Sequence, residues 1–122
     1  MQTEYFAPLA ERIVGLDPSA QAVKRARAKG IKNAQFEVGD LSSYKLKGAA
    51  RYDLVTACEV IYYMPDLEEA VKHLCALGRA CLVTYYDGAF ERLDKYFGRQ
   101  QTQSLTINGA TCRWRVVYWR QI

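Results

Sequence analysis

The chain has 122 residues and a formal net charge of +4; half of its residues are hydrophobic and a quarter are charged, the balance of an ordinary globular domain. A domain of that length buries roughly two-thirds of its unfolded surface, so a core forms without disulfide or metal staples, and disorder is excluded. The charge is mild, and lysines and arginines scattered among acids and apolar residues read as a solvated surface rather than a nucleic-acid footprint.

The four cysteines, Cys58, Cys75, Cys81 and Cys112, form no C-x-x-C pair, and the single histidine, His73, has no ligand partners at zinc-site spacing. Three of the cysteines lie inside apolar runs, where a reduced thiol behaves as a small core residue. No basic segment followed by an apolar one opens the chain, and no apolar stretch approaches membrane-spanning length. The expectation is one domain over residues 1–122, reduced, cytoplasmic and free of metal and membrane.

Thr3 to Glu11 reads as the tail of a helix with Phe6, Leu9 and Ala10 on one side, although Pro8 interrupts it. Arg12 to Asp17 is a buried-strand candidate ending in an acid. Pro18-Ser19 then starts a helix that runs through Lys29, with Gly30 placed to end it. Gln35 to Asp40 is a second strand, again ending in an acid, and Tyr52 to Glu59 is a third, rich in β-favouring side chains.

Asp66 followed by Glu69 resembles a capping box and opens a helix to about Leu77. Leu67, Ala70, Val71, Leu74 and Leu77 follow helical spacing and are expected to face a sheet. Arg79 to Tyr85 is a fourth strand, and a short helix follows near Ala89 to Phe97. Leu105 to Ile107, the pair Asn108-Gly109, and Ala110 to Trp119 read as an antiparallel hairpin with a two-residue turn. Strands separated by helices imply crossovers and a parallel sheet, to which the hairpin adds an antiparallel edge. The fold class is therefore α/β, with three layers and a mostly parallel sheet.

In open α/β sheets, ligands bind beyond the carboxyl ends of the strands, where both Asp17 and Asp40 fall. A carboxylate there can accept from both hydroxyls of a ribose. Asp40, in Val38-Gly39-Asp40-Leu41, can accept from the exocyclic amine of adenine, and Gly39 would let the backbone approach the ring. The plainer alternative is that both acids serve only as helix caps or turn residues.

Ile13 to Ser19, Glu37 to Leu41 and Tyr52 to Val60 resemble three successive motifs of the class I S-adenosylmethionine-dependent methyltransferases. The resemblance runs from about Thr3 to the C-terminus. It implies a Rossmann-like methyltransferase fold, S-adenosylmethionine as cofactor, Asp17 on the ribose, Asp40 and Leu41 on the adenine, and the Glu59 region along the methyl-donor pocket. The cofactor-binding candidates are thus Asp17, Pro18, Gly39, Asp40, Leu41, Cys58 and Glu59. Glu59 to Met64 is similar to small-molecule N-methyltransferases of the nodulation type, and the absence of an N/D-P-P-Y/F segment argues against DNA or protein amides as acceptors.

The resemblance also implies a first strand and a Gly-rich loop. In dinucleotide folds such a loop lies about 20 residues before the ribose acid, which falls before Met1, and no G-x-G occurs among the eight glycines. That strand is central to the fold, between those beginning near Arg12 and Tyr52. The expectation is a subunit of a split enzyme acting on a small molecule, with a second protein chain supplying the strand and loop. A homodimer pairing across the gap, a non-catalytic regulatory or scaffold subunit, and a truncated fragment are the alternatives.

Tyr62, Tyr63, Tyr85, Tyr86 and Asp87 lie at or just past strand ends, where an acceptor would sit. Aromatic walls could orient a neutral amine or hydroxyl, and Glu59 or Asp87 could take its proton, so Glu59, Tyr63 and Asp87 are the catalytic candidates. The alternative for each tyrosine is packing with its hydroxyl in water. Arg113, Trp114, Arg115, Tyr118, Trp119 and Arg120 read as a strand with one core face and one solvated face, or as a partner interface, ahead of a platform for RNA.

Overall fold

A computed structural model describes residues 2–48, 50–98 and 102–121. They fall into two compact units, Met1–Tyr44 and Lys45–Ile122. No helix among the described residues is long and apolar enough to cross a membrane.

The first unit opens with α1 (Thr3–Phe6), shorter than the expected helix tail because Pro8 lies in the 3-10 turn Ala7–Leu9 that follows. β1 (Ile13–Asp17) and β2 (Ala34–Val38) run parallel, in register from Ile13 opposite Ala34 to Asp17 opposite Val38. Between them, α2 (Ala20–Ala28) starts where the Ser19 hydroxyl accepts from the Ala22 N–H at 3.2 Å. It ends at Gly30, whose φ of +66° is the left-handed conformation that glycine adopts without a Cβ penalty. Val23, Ala26 and Phe36 form the buried cluster of this unit, with Ile31 and Ala34 against it. A Cβ on Gly15 would lie 2.7 Å from the Phe36 ring, so glycine at the middle of β1 makes room for the largest member of that cluster. Asn33 ties the N-terminal turns to the strands by donating to the carbonyls of Ala7 and Ala10.

The second unit holds β3 (Tyr52–Cys58), α3 (Leu67–Leu77), β4 (Gly78–Tyr86), α4 (Phe90–Phe97), β5 (Gln103–Asn108) and β6 (Arg113–Arg120). Its sheet order is β3-β4-β6-β5, with β3 and β4 parallel and β6 antiparallel to both of its neighbours. β3, β4 and β5 therefore share one direction and β6 alone opposes it. The hairpin does not simply lengthen the sheet: its second strand inserts next to β4 and leaves the first outermost. The turn differs from expectation. Asn108 pairs with Arg113, so four residues, Gly109 to Cys112, link the strands, and the Gly109 N–H donates to the Cys112 carbonyl at 2.8 Å. Neither Asn108 nor Gly109 has the positive φ that a two-residue type I′ turn requires.

Asp66 caps α3 by accepting from the Glu69 N–H at 3.1 Å, while the Glu69 carboxylate pairs with Lys72. Ala70, Leu74 and Leu77 bury the inner side of this helix. Cys81, Val83 and Tyr85 point from β4 into the core; Cys81 Sγ meets the Leu74 carbonyl, and Tyr85 stacks on Phe97 of α4 with ring centroids 6.0 Å apart. Trp119 of β6 joins both helices, its ring 5.7 Å from that of Phe97 and its Nε1 donating to Cys75 Sγ.

Tyr85 is fully buried, and its hydroxyl donates to Asp94 Oδ1 at 2.6 Å. Arg115, opposite Tyr85 in register, grips the same carboxylate through Nε and Nη2 at 3.1 and 2.7 Å and lies 4.1 Å over the Phe90 ring. These donors, Arg115 first and Tyr85 after it, hold the Asp94 carboxyl below its usual range. A carboxyl with a lowered folded pKa contributes stability that is present above about pH 4 and is lost as pH falls through the folded value. Asp94→Asn should lower the urea midpoint at pH 7 and flatten its fall between about pH 5 and pH 2. An unchanged acid limb in the variant would show that the network does not couple to folding.

Candidate functional site

In the first unit, the two acids singled out in the sequence lie at the carboxyl end of the parallel pair. Asp17 is the last residue of β1, and its backbone carbonyl accepts from the Gly39 N–H at 3.0 Å, which sets the two chain exits side by side. Its carboxylate is exposed; Oδ1 accepts from the Ser19 N–H at 2.8 Å, and among the described residues Oδ2 is the oxygen left for a ligand. Asp40 lies two residues past β2 and organises a tight turn. Its carboxylate accepts from the Ser42 hydroxyl and from the Ser43 N–H at 3.0 Å. Those bonds, Ser42 foremost, hold the Asp40 carboxyl below its usual range, so it is an anion at neutral pH.

The cap and turn roles considered for these acids are thus real. They fix both carboxylates in orientation while leaving them in solvent. Pro18 is exposed beside Asp17, and Leu41 is half-buried beside Asp40. At Gly39 an added Cβ would meet Leu16 Cδ1 at 3.4 Å, an ordinary contact, and φ is not in the left-handed region. The local fold does not demand glycine there.

In the second unit, β3 ends at Cys58, a half-buried thiol that burial keeps protonated by raising its pKa. Glu59 follows with a φ of +59°, the one described non-glycine residue in the left-handed region. Such a conformation costs of order 1–3 kcal/mol and persists only where its surroundings hold it. Here Thr84 of β4 does so: its carbonyl and hydroxyl both receive the Glu59 N–H, at 3.0 and 3.1 Å, and its hydroxyl donates to Glu59 Oε2 at 2.9 Å. Ile61, 1% exposed, anchors the next turn (Ile61–Tyr63) and brings the Tyr62 hydroxyl to 3.5 Å from Glu59 Oε1. Burial, and then the Glu59 carboxylate, push the Tyr62 phenol up to about 12.

The aromatic candidates separate. Tyr62, Tyr63 and Tyr86 cluster, the Tyr62 centroid lying 4.6 Å from Tyr63 and 5.1 Å from Tyr86. Tyr85 is not with them, because strand alternation turns it into the core. Asp87 is engaged elsewhere: Oδ2 accepts from the Arg113 N–H at 3.3 Å and Oδ1 lies 3.8 Å from Cys112 Sγ, so it pins the hairpin turn. Glu59 is the carboxylate that meets the tyrosines. Thr84, Ser42 and Ser43 escaped the sequence reading. Only the alternation that places Thr84 on the face opposite Tyr85 could have signalled its part.

If Thr84 holds Glu59 against its backbone strain, Glu59→Ala and Glu59→Gly lose the same carboxylate contacts, but only alanine keeps the left-handed penalty. Denaturant unfolding should find the alanine variant less stable than the glycine variant by roughly 1–2 kcal/mol. Equal stabilities would mean that the turn relaxes out of the left-handed region.

Residues 1–80 match the model of the methyltransferase domain family. Nodulation protein S of Bradyrhizobium diazoefficiens is 30% identical over 78 residues, which are 62% of this chain and 37% of that protein, so the chain spans little more than a third of this curated relative. Among solved structures, the N-methyltransferase NodS from Bradyrhizobium japonicum WM9 superposes with a TM-score of 0.73 at 18% identity, over 98% of this chain and 78% of that one. DhpI in complex with S-adenosylhomocysteine superposes at 0.72 with 16% identity, over 98% and 71%. An rRNA methylase from Streptococcus thermophilus does so at 0.71 with 13% identity, over 98% and 80%. At such identities these structures show the fold alone. With its strand order, its terminal hairpin and two-thirds of its length inside the matched domain, the chain belongs to the class I S-adenosylmethionine-dependent methyltransferase family.

Proposed function

We propose that the chain works in methyl transfer from S-adenosylmethionine to a small-molecule acceptor, within an assembly whose other chain completes the cofactor cradle. The observation that carries the cofactor reading is the paired carboxylates at one end of β1 and β2, both ordered by local donors and both exposed. Asp17 would accept from the ribose hydroxyls, Asp40 from the adenine amine, with Gly39 and Leu41 against the ring and Pro18 shaping the turn. The methyltransferase family and the S-adenosylhomocysteine bound to DhpI support this assignment. S-adenosylmethionine brings the activated methyl group; the chain's own residues would bind, orient and exclude water.

The small-molecule reading rests on the 30% identity to nodulation protein S, on the likeness to the N-methyltransferase NodS and on the exposed aromatic residues near Glu59. The partner reading rests on the strand edges. Among the described residues β1 hydrogen-bonds to β2 alone and β3 to β4 alone, so each parallel pair keeps an open edge. Leu54 in β3 is 45% exposed, an apolar strand residue without full cover. Unpaired strand edges are templates for strand addition.

Calorimetric titration of S-adenosylmethionine, with molecular mass measured in the same buffer, tests both parts. The isolated chain should give no saturable heat, and the chain co-purified with its strand-donating partner should bind. In that complex Asp17→Ala should weaken binding roughly 10–100-fold, the loss of charge-assisted hydrogen bonds. Tight binding by an isolated monomer would overturn the partner requirement; unchanged affinity in Asp17→Ala would overturn the ribose assignment.

A further inference from the structure

Glu59, Tyr62, Tyr63 and Tyr86 form a cluster whose chemistry can be read without reference to the cofactor acids. The rings of Tyr63 and Tyr86 are inclined at 52° and 67° to that of Tyr62, so the three make the walls of a corner rather than a stack. Two of the walls are open to solvent, Tyr63 being 76% and Tyr86 40% exposed. One carboxylate stands at the corner, fixed by Thr84 at 2.9 Å and facing the Tyr62 hydroxyl at 3.5 Å. A further feature belongs to the same arrangement. A Cβ on Gly88 would fall 2.6 Å from Tyr86 Cζ and 2.8 Å from its hydroxyl oxygen, so glycine in the turn after β4 lets the Tyr86 ring lie across the backbone.

Phenol rings present negative faces, and an inclined set with one carboxylate favours a cation whose charge is spread over carbon-bearing groups and whose hydration is weak. A compact, strongly hydrated cation would gain less, because the rings supply no oxygen ligands to replace its water. From this geometry we infer that Tyr62, Tyr63, Tyr86 and Glu59 form a receptor for an onium group, with Gly88 as the residue that positions the Tyr86 wall. Under the methyl-transfer reading, on which its biological role rests, the onium is either the sulfonium of the donor or the ammonium of an amine acceptor. In the second case the carboxylate would also stand ready to receive the proton that the amine loses.

The test uses the 122-residue chain and two probes of the same shape, choline and its neutral carbon isostere 3,3-dimethylbutan-1-ol, titrated while the tyrosine ring signals are followed by NMR. Choline should shift Tyr62, Tyr63 and Tyr86 with an affinity about tenfold above that of the neutral isostere, the range expected of a cation over aromatic faces. Glu59→Gln, which keeps a side-chain oxygen for Thr84, and Tyr63→Ala, at an exposed position, should each weaken choline severalfold without changing the unfolding midpoint by more than a few degrees. Gly88→Ala should move the Tyr86 signals and weaken choline, whereas Tyr62→Phe should retain binding.

Equal affinity for choline and the isostere would reduce the cluster to an apolar patch and overturn the proposal, as would binding of neither. In the completed assembly, competition between choline and S-adenosylmethionine would assign the corner to the donor sulfonium, and simultaneous binding would assign it to an acceptor ammonium. Choline binding by a chain that fails to bind S-adenosylmethionine in any assembly would sink the methyl-transfer reading and leave the receptor standing.

Discussion

The period-2 alternation of β4 is the constraint on which the second unit depends. From Cys81 onward alternate residues of this strand, Cys81, Val83 and Tyr85, enter the core, and Leu82, Thr84 and Tyr86 are less buried. Thr84 and Tyr86 thereby reach Glu59 and Tyr62, while Tyr85 between them is committed to Asp94 and Arg115. A one-residue slip of β4 would put a tyrosine where Thr84 holds Glu59 and would expose the phenol that now closes the core network. Insertion of β6 beside β4 guards against that slip, because Arg115 meets Asp94 only in the register that pairs it with Tyr85.

The first unit solves a related problem with fewer parts. A single parallel pair needs its crossover helix to cover one face, and α2 does so with Val23 and Ala26 against Phe36. What remains at the carboxyl end is two turns, each stiffened by an aspartate that accepts from a serine two or three residues later. Stiffness there has a chemical consequence. Carboxylates whose orientation is set before a ligand arrives lose less side-chain entropy on binding, which is why a capping role and a binding role are compatible in one residue.

Element types and order were largely legible in the sequence because apolar spacing and local caps carry them. Asp66, Ser19 and Gly30 mark helix ends through hydrogen bonds and a backbone angle that are decided within four residues. The parallel pairs follow from strands separated by helices. The hairpin turn is longer than the two residues that the strong local signal Asn108-Gly109 predicts, because Asp87, more than twenty residues earlier, holds Arg113 and Cys112. Tyr85 illustrates the same limit. It stands among exposed tyrosines in sequence, and only its buried partners on α4 and β6 reveal that it belongs to the core.

Glu59 and Gly39 depart from what local stability alone would select in opposite ways, and Gly48 resembles Gly39 in having room for a Cβ on an unstrained backbone. Glu59 carries a side chain in a left-handed conformation that glycine would adopt without strain. Gly39 lacks a side chain where the backbone is unstrained and a Cβ would fit, at the cost of extra freedom in the unfolded chain. By contrast, Gly15 and Gly30 are accounted for by a neighbouring ring and a helix end. Sequences tend to agree with their folds at every level except where another requirement intervenes. At Glu59 the carboxylate is held at a fixed point between Thr84 and Tyr62. Each of Gly39 and Glu59 follows directly on the carboxyl end of a parallel strand of its own unit.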